Sequence, residues 1–228
     1  MIRKFFVTIL AYSAALGLGL CAVAGVARAH DAGISKLMGS IDVQPGEHVG
    51  DVSTVNGSIH IGADATVANV STVNGGVHLA SHATASKLTT TNGGIHVAEG
   101  GRVMGDVHTT NGGVHIADGA EVSGDLHTIN GGIHVGSAHV KGSIDTTSGG
   151  IDLGPNARID GDVVMQADHS WHGDNDRIPR VVIGPGTVVS GKLHFDRKVV
   201  LYVSDRATIG RVEGAEPVKF SGDHPPED

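Results

Sequence analysis

Aromatic side chains are scarce in this 228-residue chain: Phe, Tyr and Trp together make up 3% of it. A core of packed rings is therefore excluded, and small aliphatic side chains must fill the interior. Cysteine occurs once, as Cys21, within an apolar N-terminal run. A chain cleaved after Ala29 would have none, leaving no disulfide, no thiolate metal site and no cysteine nucleophile. Basic residues are also few, 16 Lys and Arg against 24 Asp and Glu, for a net charge of -8. Removing Arg3, Lys4 and Arg28 takes that to -11. An acidic surface argues against nucleic acid as a partner. What the chain does have is glycine, 35 residues of it, with steady Val and Ile. That combination predicts many short strands and tight corners.

Residues 1–29 read as a signal peptide. Arg3 and Lys4 form a basic start, a long apolar run follows, and "ARA" (Ala27, Arg28, Ala29) offers a cleavage site before His30. The expected destination is the periplasm or outer envelope. Two other readings stand beside it: lipidation at Cys21 in "LGLC", and an uncleaved membrane anchor, since the run is long enough to span.

From residue 34 the chain repeats itself. Coil starts fall at Ile34, Val52, Val70, Leu88, Val107, Leu126, Ile144 and Val163, at intervals of 18, 18, 18, 19, 19, 18 and 19 residues. A ninth start, Leu193, comes 30 residues after Val163, one 18-residue coil plus 12. Those 12 residues, "HSWHGDNDRIPR" (169–180), read as a polar loop pushed out at the first corner. Each coil divides into three six-residue sides, as in "VSTVNG / SIHIGA / DATVAN". Internal repeats with short alternating strands predict an all-β, single-stranded parallel β-helix of about nine coils. The expected organisation is a short linker at 30–33, the solenoid at 34–213, and a disordered, acidic, Pro-containing tail at 214–228. One coil buries about five apolar side chains at roughly 1.5–3 kcal/mol each. Ordering its backbone costs about 1–2 kcal/mol per residue, so only a stack is stable.

The repeat sets residues in columns. Ile59/Ile61, Val77/Leu79, Ile95/Val97, Val114/Ile116, Ile133/Val135 and Ile151/Leu153 are predicted to point inward from the second side, and Val67, Val103, Val122, Val140 and Ile159 from the third. Strand alternation also places two polar columns inside, beside the first corner. One is Thr54, Thr72, Thr90, Thr109, Thr128 and Thr146; the other is Asn56, Asn74, Asn92, Asn111 and Asn130. Rungs about 4.8 Å apart allow the Asn amides to bond along the stack. The Gly pair after each Asn is expected to supply a positive φ.

Between the inward residues of "GGIHV" the histidine points out. His60, His78, His96, His115 and His134 thus form an exposed ladder, with Asp42 and Asp152 in the same column at its ends. His108 and His127 start a second outward column. Three readings of the ladder stand together. It is a solvated strand face copied with its repeat; it is a divalent metal site shared by neighbouring imidazoles; or it is a proton switch, since stacked imidazoles resist charging together. Equivalent copies lack the unique surroundings a catalytic base needs, so no catalytic residue is expected. In the loop, "DNDR" (Asp174–Arg177) offers oxygen ligands without matching an EF-hand. Trp171 reads as a cover over the coil edge or a partner contact.

The C-terminal run "VVIGPGTVVSGKLHFDRKVVLYVSDRATIGRVEG" resembles the bactofilins, polymer-forming bacterial cytoskeletal proteins. The resemblance extends over roughly residues 34–213 and rests on pattern. It implies a right-handed β-helix that polymerises end to end without nucleotide. The "NGGIHV" units are also similar to repeats of envelope adhesin solenoids. "IHIGADATV" and "IDLGPNARI" resemble the left-handed hexapeptide-repeat fold, which would imply an enzyme such as an acyltransferase or a zinc carbonic anhydrase. The reading taken forward is a non-catalytic structural or scaffold protein of the bacterial envelope with no cofactor, forming a homo-oligomer or polymer through its coil ends. The alternative is an exported adhesin or binding solenoid.

Overall fold

A computed structural model describes residues 32–167 and 178–226. The signal-peptide reading, Cys21, Trp171 and Asp174–Arg177 lie outside these residues. The described chain is all strand and turn, a parallel β-solenoid of ten rungs with no helix among the described residues. No helix there is long and apolar enough to cross a membrane.

Every coil start read from the repeat is a rung partner. Ile34 pairs with Val52, Val52 with Val70, Leu88 with Val107, Leu126 with Ile144, and Val163 with Leu193. The last of these spans the 30-residue step, so the insertion leaves the register intact. It opens between the strands Val163–Met165 and Arg180–Ile183, at the first corner. Arg180, read as the end of the loop, is already strand.

One expectation at the C-terminus needs correction. A tenth, partial rung follows the nine: Val212–Glu213 pairs with Leu193–Phe195, and Pro217–Phe220 pairs with Val200–Ser204. The solenoid therefore runs past residue 213, through residues read as a disordered tail. Phe220 is the reason, since it is buried at the end of the stack. Beyond it the chain is held by Arg206, which donates to Gly222 O at 3.3 Å and Asp223 Oδ1 at 2.8 Å. Arg180 likewise donates to Pro226 O at 3.2 Å.

The core is one continuous column from Ile41 to Val203, built of Val, Ile, Leu and Ala with Met165 and Phe195 near its C-terminal end, and it contains each inward aliphatic column named above. The Thr column is buried too. Each hydroxyl donates to a corner carbonyl of the preceding coil: Thr72 to Gly57, Thr90 to Gly75, Thr109 to Gly93 and Thr128 to Gly112, at 2.8–2.9 Å. A buried hydroxyl is thereby satisfied at each rung that carries the column.

The Asn column is displaced from the expectation. Asn56, Asn74, Asn92, Asn111 and Asn130 are exposed, because the strand ends there and the corner turns the side chain outward. The amide ladder itself forms. Each Nδ2 donates to the Oδ1 one coil back, from Asn130 through Asn111, Asn92 and Asn74 to Asn56, at 2.8–2.9 Å.

The first-corner Gly pairs do not take positive φ, although Gly39 at that corner of the first coil does, at 97°. The conformation recurs at the second corner, where Gly46, Asp64, His82, Gly100, Gly119, Asn156 and Gly186 hold φ of 58–72°. Gly, Asn and Asp are the residues that tolerate it best. Glycine is needed at the first corner for a different reason. A Cβ on Gly75, Gly93, Gly112 or Gly131 would lie 2.0–2.1 Å from the carbonyl oxygen of the equivalent glycine one coil back. Stacked corner backbones leave no room for a side chain.

Candidate functional site: a histidine-walled groove

The second side carries the ladder. In strands such as Ile95–Val97 and Val114–Ile116, the two outer residues are buried and the central histidine faces out. Parallel in-register pairing sets His60, His78, His96, His115 and His134 directly over one another, with Asp42 before and Asp152 after them. From His78 to His134 the rings stack face to face, with centroids 4.7–4.8 Å apart and planes within 7° of parallel. His60 departs from the stack, at 6.1 Å and 48°.

This stack has an electrostatic consequence. Burial, and then the neighbouring imidazoles His60 for His78 and both His78 and His115 for His96, push the two pKa values down. His115 is lowered by burial and by His134, against the opposing pull of Asp118. Each of these shifts favours the uncharged ring in the middle of the ladder. At its C-terminal end His134 Nδ1 lies 3.1 Å from Asp152 Oδ2.

The geometry bears on metal binding. Imidazole lone pairs lie in the ring plane, so parallel rings direct them side by side. Two nitrogens sharing one Zn²⁺ must instead converge to roughly 2.0–2.1 Å from it. Among the described residues no cluster of three or more His, Cys, Asp or Glu is arranged to hold a metal. To bind one, the ladder would have to break its stack.

Beside the ladder runs a groove with a volume of about 1220 Å³. The five histidines edge it, and Ser58 and the second glycine of each corner pair form its floor. Arg180, Asp223, His224 and Pro225 close its C-terminal end. Arg180 is held there over the ring of Tyr202, 4.7 Å from the centroid. The repeat pattern showed the ladder and the glycines separately. That they border one groove follows only from folding the corner between them.

A second, smaller pocket of about 300 Å³ lies on the first side. His108 and His127 stack there at 4.8 Å. Around them stand Lys87, Asp106, Asp125 and Asp145, with His127 Nδ1 3.4 Å from Asp145 Oδ1. Burial, then His127 and Lys87, lower the His108 pKa against the pull of Asp106. Sequence reading missed the structural part played by these aspartates. Asp51, Asp106, Asp125 and Asp162 each accept a backbone N–H from the next coil, at Asn69, Asp125, Ser143 and Lys192. A recurrent Asp just before the coil start was the available signal.

Four histidines with lowered pKa values fix the sign of a pH effect. The unfolded chain, with ordinary histidines near pH 6.5, takes up protons before the folded chain does. Stability is therefore fully present above that pH and is lost as pH falls through it toward the folded values. The urea midpoint is expected to drop between pH 7.5 and pH 5, and His96→Gln to shrink the drop. A midpoint that rises on acidification would overturn this expectation.

Fold and site together define a parallel β-solenoid bearing a histidine-edged groove. Comparison with protein-family models, with curated proteins and with solved structures gave no match to the chain.

Proposed function

We propose that the protein is a non-catalytic scaffold of the bacterial cell envelope that self-associates through its coil ends. The observation that carries this reading is the open first rung. Among the described residues, Ile34–Met38 has a strand partner on one edge only, Val52–Asn56. Leu37 and Met38 on that rung are 71% and 75% exposed. An unpaired parallel edge with apolar side chains is a template for another chain. The opposite end is blunted by Pro217 and Lys219 on its last strand, two residues typical of protected edges. The resemblance to bactofilins supports the same reading and adds the right-handed winding. Residues 1–29 support export to the periplasm or outer envelope.

Electron microscopy and light scattering of residues 30–228 test the proposal. One ten-rung solenoid is about 48 Å long, so assemblies should measure at least twice that. Leu37→Lys with Met38→Lys should return them to single rods. Strictly monomeric protein at high concentration would end the reading and leave the groove-bearing adhesin as its successor.

A further inference from the structure

The groove beside the histidine ladder carries a row of unused hydrogen-bond donors. The carbonyls of Gly94, Gly113 and Gly132 accept from Val77, Ile95 and Val114, but their own N–H groups have no partner among the described residues. All three glycines are exposed. The direction of these donors is visible at the first such corner, where Gly76 N–H reaches Ser58 Oγ at 3.3 Å. Ser58 occupies the place that glycine takes in the later coils. Where that place is glycine, the N–H of the next coil opens into the groove instead.

The fold does not demand glycine here as it does one residue earlier. A Cβ on Gly94 or Gly113 would lie 3.2 Å from the next coil's carbonyl oxygen, a tight contact but not the 2.0–2.1 Å overlap at Gly93 and Gly112. Ser58 is tolerated at the equivalent position. The bare floor therefore adds open space and free donors rather than mere packing.

The opposite wall repeats with the floor. His78, His96 and His115 stand at 4.7–4.8 Å intervals, and in its uncharged form each offers one ring N–H and one acceptor nitrogen. No formally charged side chain lines these middle rungs; Asp152, Arg180 and Asp223 stand at the C-terminal end only.

We propose that the groove binds a neutral, unbranched polysaccharide strand laid along the solenoid axis, one sugar per rung. Hydroxyl groups accept from the glycine N–H row and both donate to and accept from the imidazoles. A β-linked pyranose chain advances by about one ring length per sugar, close to the rung spacing of about 4.8 Å. An extended peptide advances by about 3.3 Å per residue and repeats its side chains every two residues, so it falls out of step. A polyanion finds no positive charge on the middle rungs and meets a chain of net charge -8. The groove volume of about 1220 Å³ exceeds that of an ordinary small-molecule pocket and suits an oligomer.

Calorimetric titration of the purified protein with cellohexaose, hexa-N-acetylchitohexaose and hexagalacturonate tests this. At least one neutral hexamer should bind, cellobiose should bind at least tenfold more weakly, and hexagalacturonate should not bind. Gly94→Ser with Gly113→Ser, which repeats the Ser58 arrangement and occupies two donors, should weaken binding at least tenfold while the melting transition stays cooperative and shifts by no more than a few degrees. Amide NMR of the unsubstituted protein gives a reading that needs no variant: the neutral hexamer should shift the Gly94, Gly113 and Gly132 resonances. The proposal is overturned if neither neutral hexamer binds, if hexagalacturonate binds as well as they do, or if those three amides do not respond. A double serine variant that keeps its melting temperature and its affinity also overturns it.

Discussion

Replacing Gly112 with alanine is expected to destabilise the protein by about 3 kcal/mol or more, a large effect for adding one methyl group. The new Cβ would sit 2.0 Å from the Gly93 carbonyl oxygen and 2.4 Å from its carbon. Both are backbone atoms locked in the rung ladder, so no rotamer change relieves the overlap. Two corners would have to separate, weakening the Thr109 hydroxyl bond to Gly93 O that spans them. The control lies next door. Gly113→Ala places its Cβ 3.2 Å from Gly132 O and is expected to cost about 1 kcal/mol or less. Urea unfolding of the two variants decides the matter. Equal losses would show that the corner relaxes and that close stacking is not what requires glycine.

Leu126→Ala is the second large effect, expected at about 2–5 kcal/mol. Leu126 is fully buried and stacks between Val107 and Ile144 on the first side. The rungs are fixed on both sides by hydrogen bonds, which limits collapse around the cavity. The damage should be local, because each coil contacts only its neighbours. Hydrogen exchange should therefore quicken most in the rungs holding Val107, Leu126 and Ile144, and least near Ile41 and Leu201. Val73→Ala, on an exposed outward position, should change stability by no more than about 0.5 kcal/mol. Uniform loss of protection along the rod would instead mark it as one all-or-none unit.

Register was the most legible property of this chain, because it depends only on which residue types recur and at what interval. Ile34, Val52, Val70 and Leu88 announce their stacking, and the 30-residue step from Val163 to Leu193 resolves into a coil plus an insertion. Corners were less legible, since side-chain alternation stops where the strand stops. Counting in twos puts Asn56 and its successors inside, yet the chain has already turned there. Composition alone points to positive φ at the Gly-Gly pairs. It recurs instead at the second corner, where Asp64, His82 and Asn156 show that glycine is optional. Pro217 and the acidic residues around it read as disorder. The decisive contact, Phe220 against the last rung, depends on a surface that exists only after folding. The histidine column was legible as a column, but its parallel stacking and the groove beside it were not, because both depend on how the corner folds back.

One more property follows from the way the 12-residue insertion leaves Val163 and Leu193 paired. Rungs are counted by the chain and not by its length, so this solenoid behaves as a ruler with a tolerant joint. Duplicating one 18-residue unit, such as 70–87, would lengthen the molecule by a single tick of about 4.8 Å while presenting the same faces above and below it. Sequence grafted at the joint between Met165 and Arg180 would add an appendage without moving any mark on the scale. Reach and decoration are thereby independent variables, altered by tandem copying in one case and by loop exchange in the other.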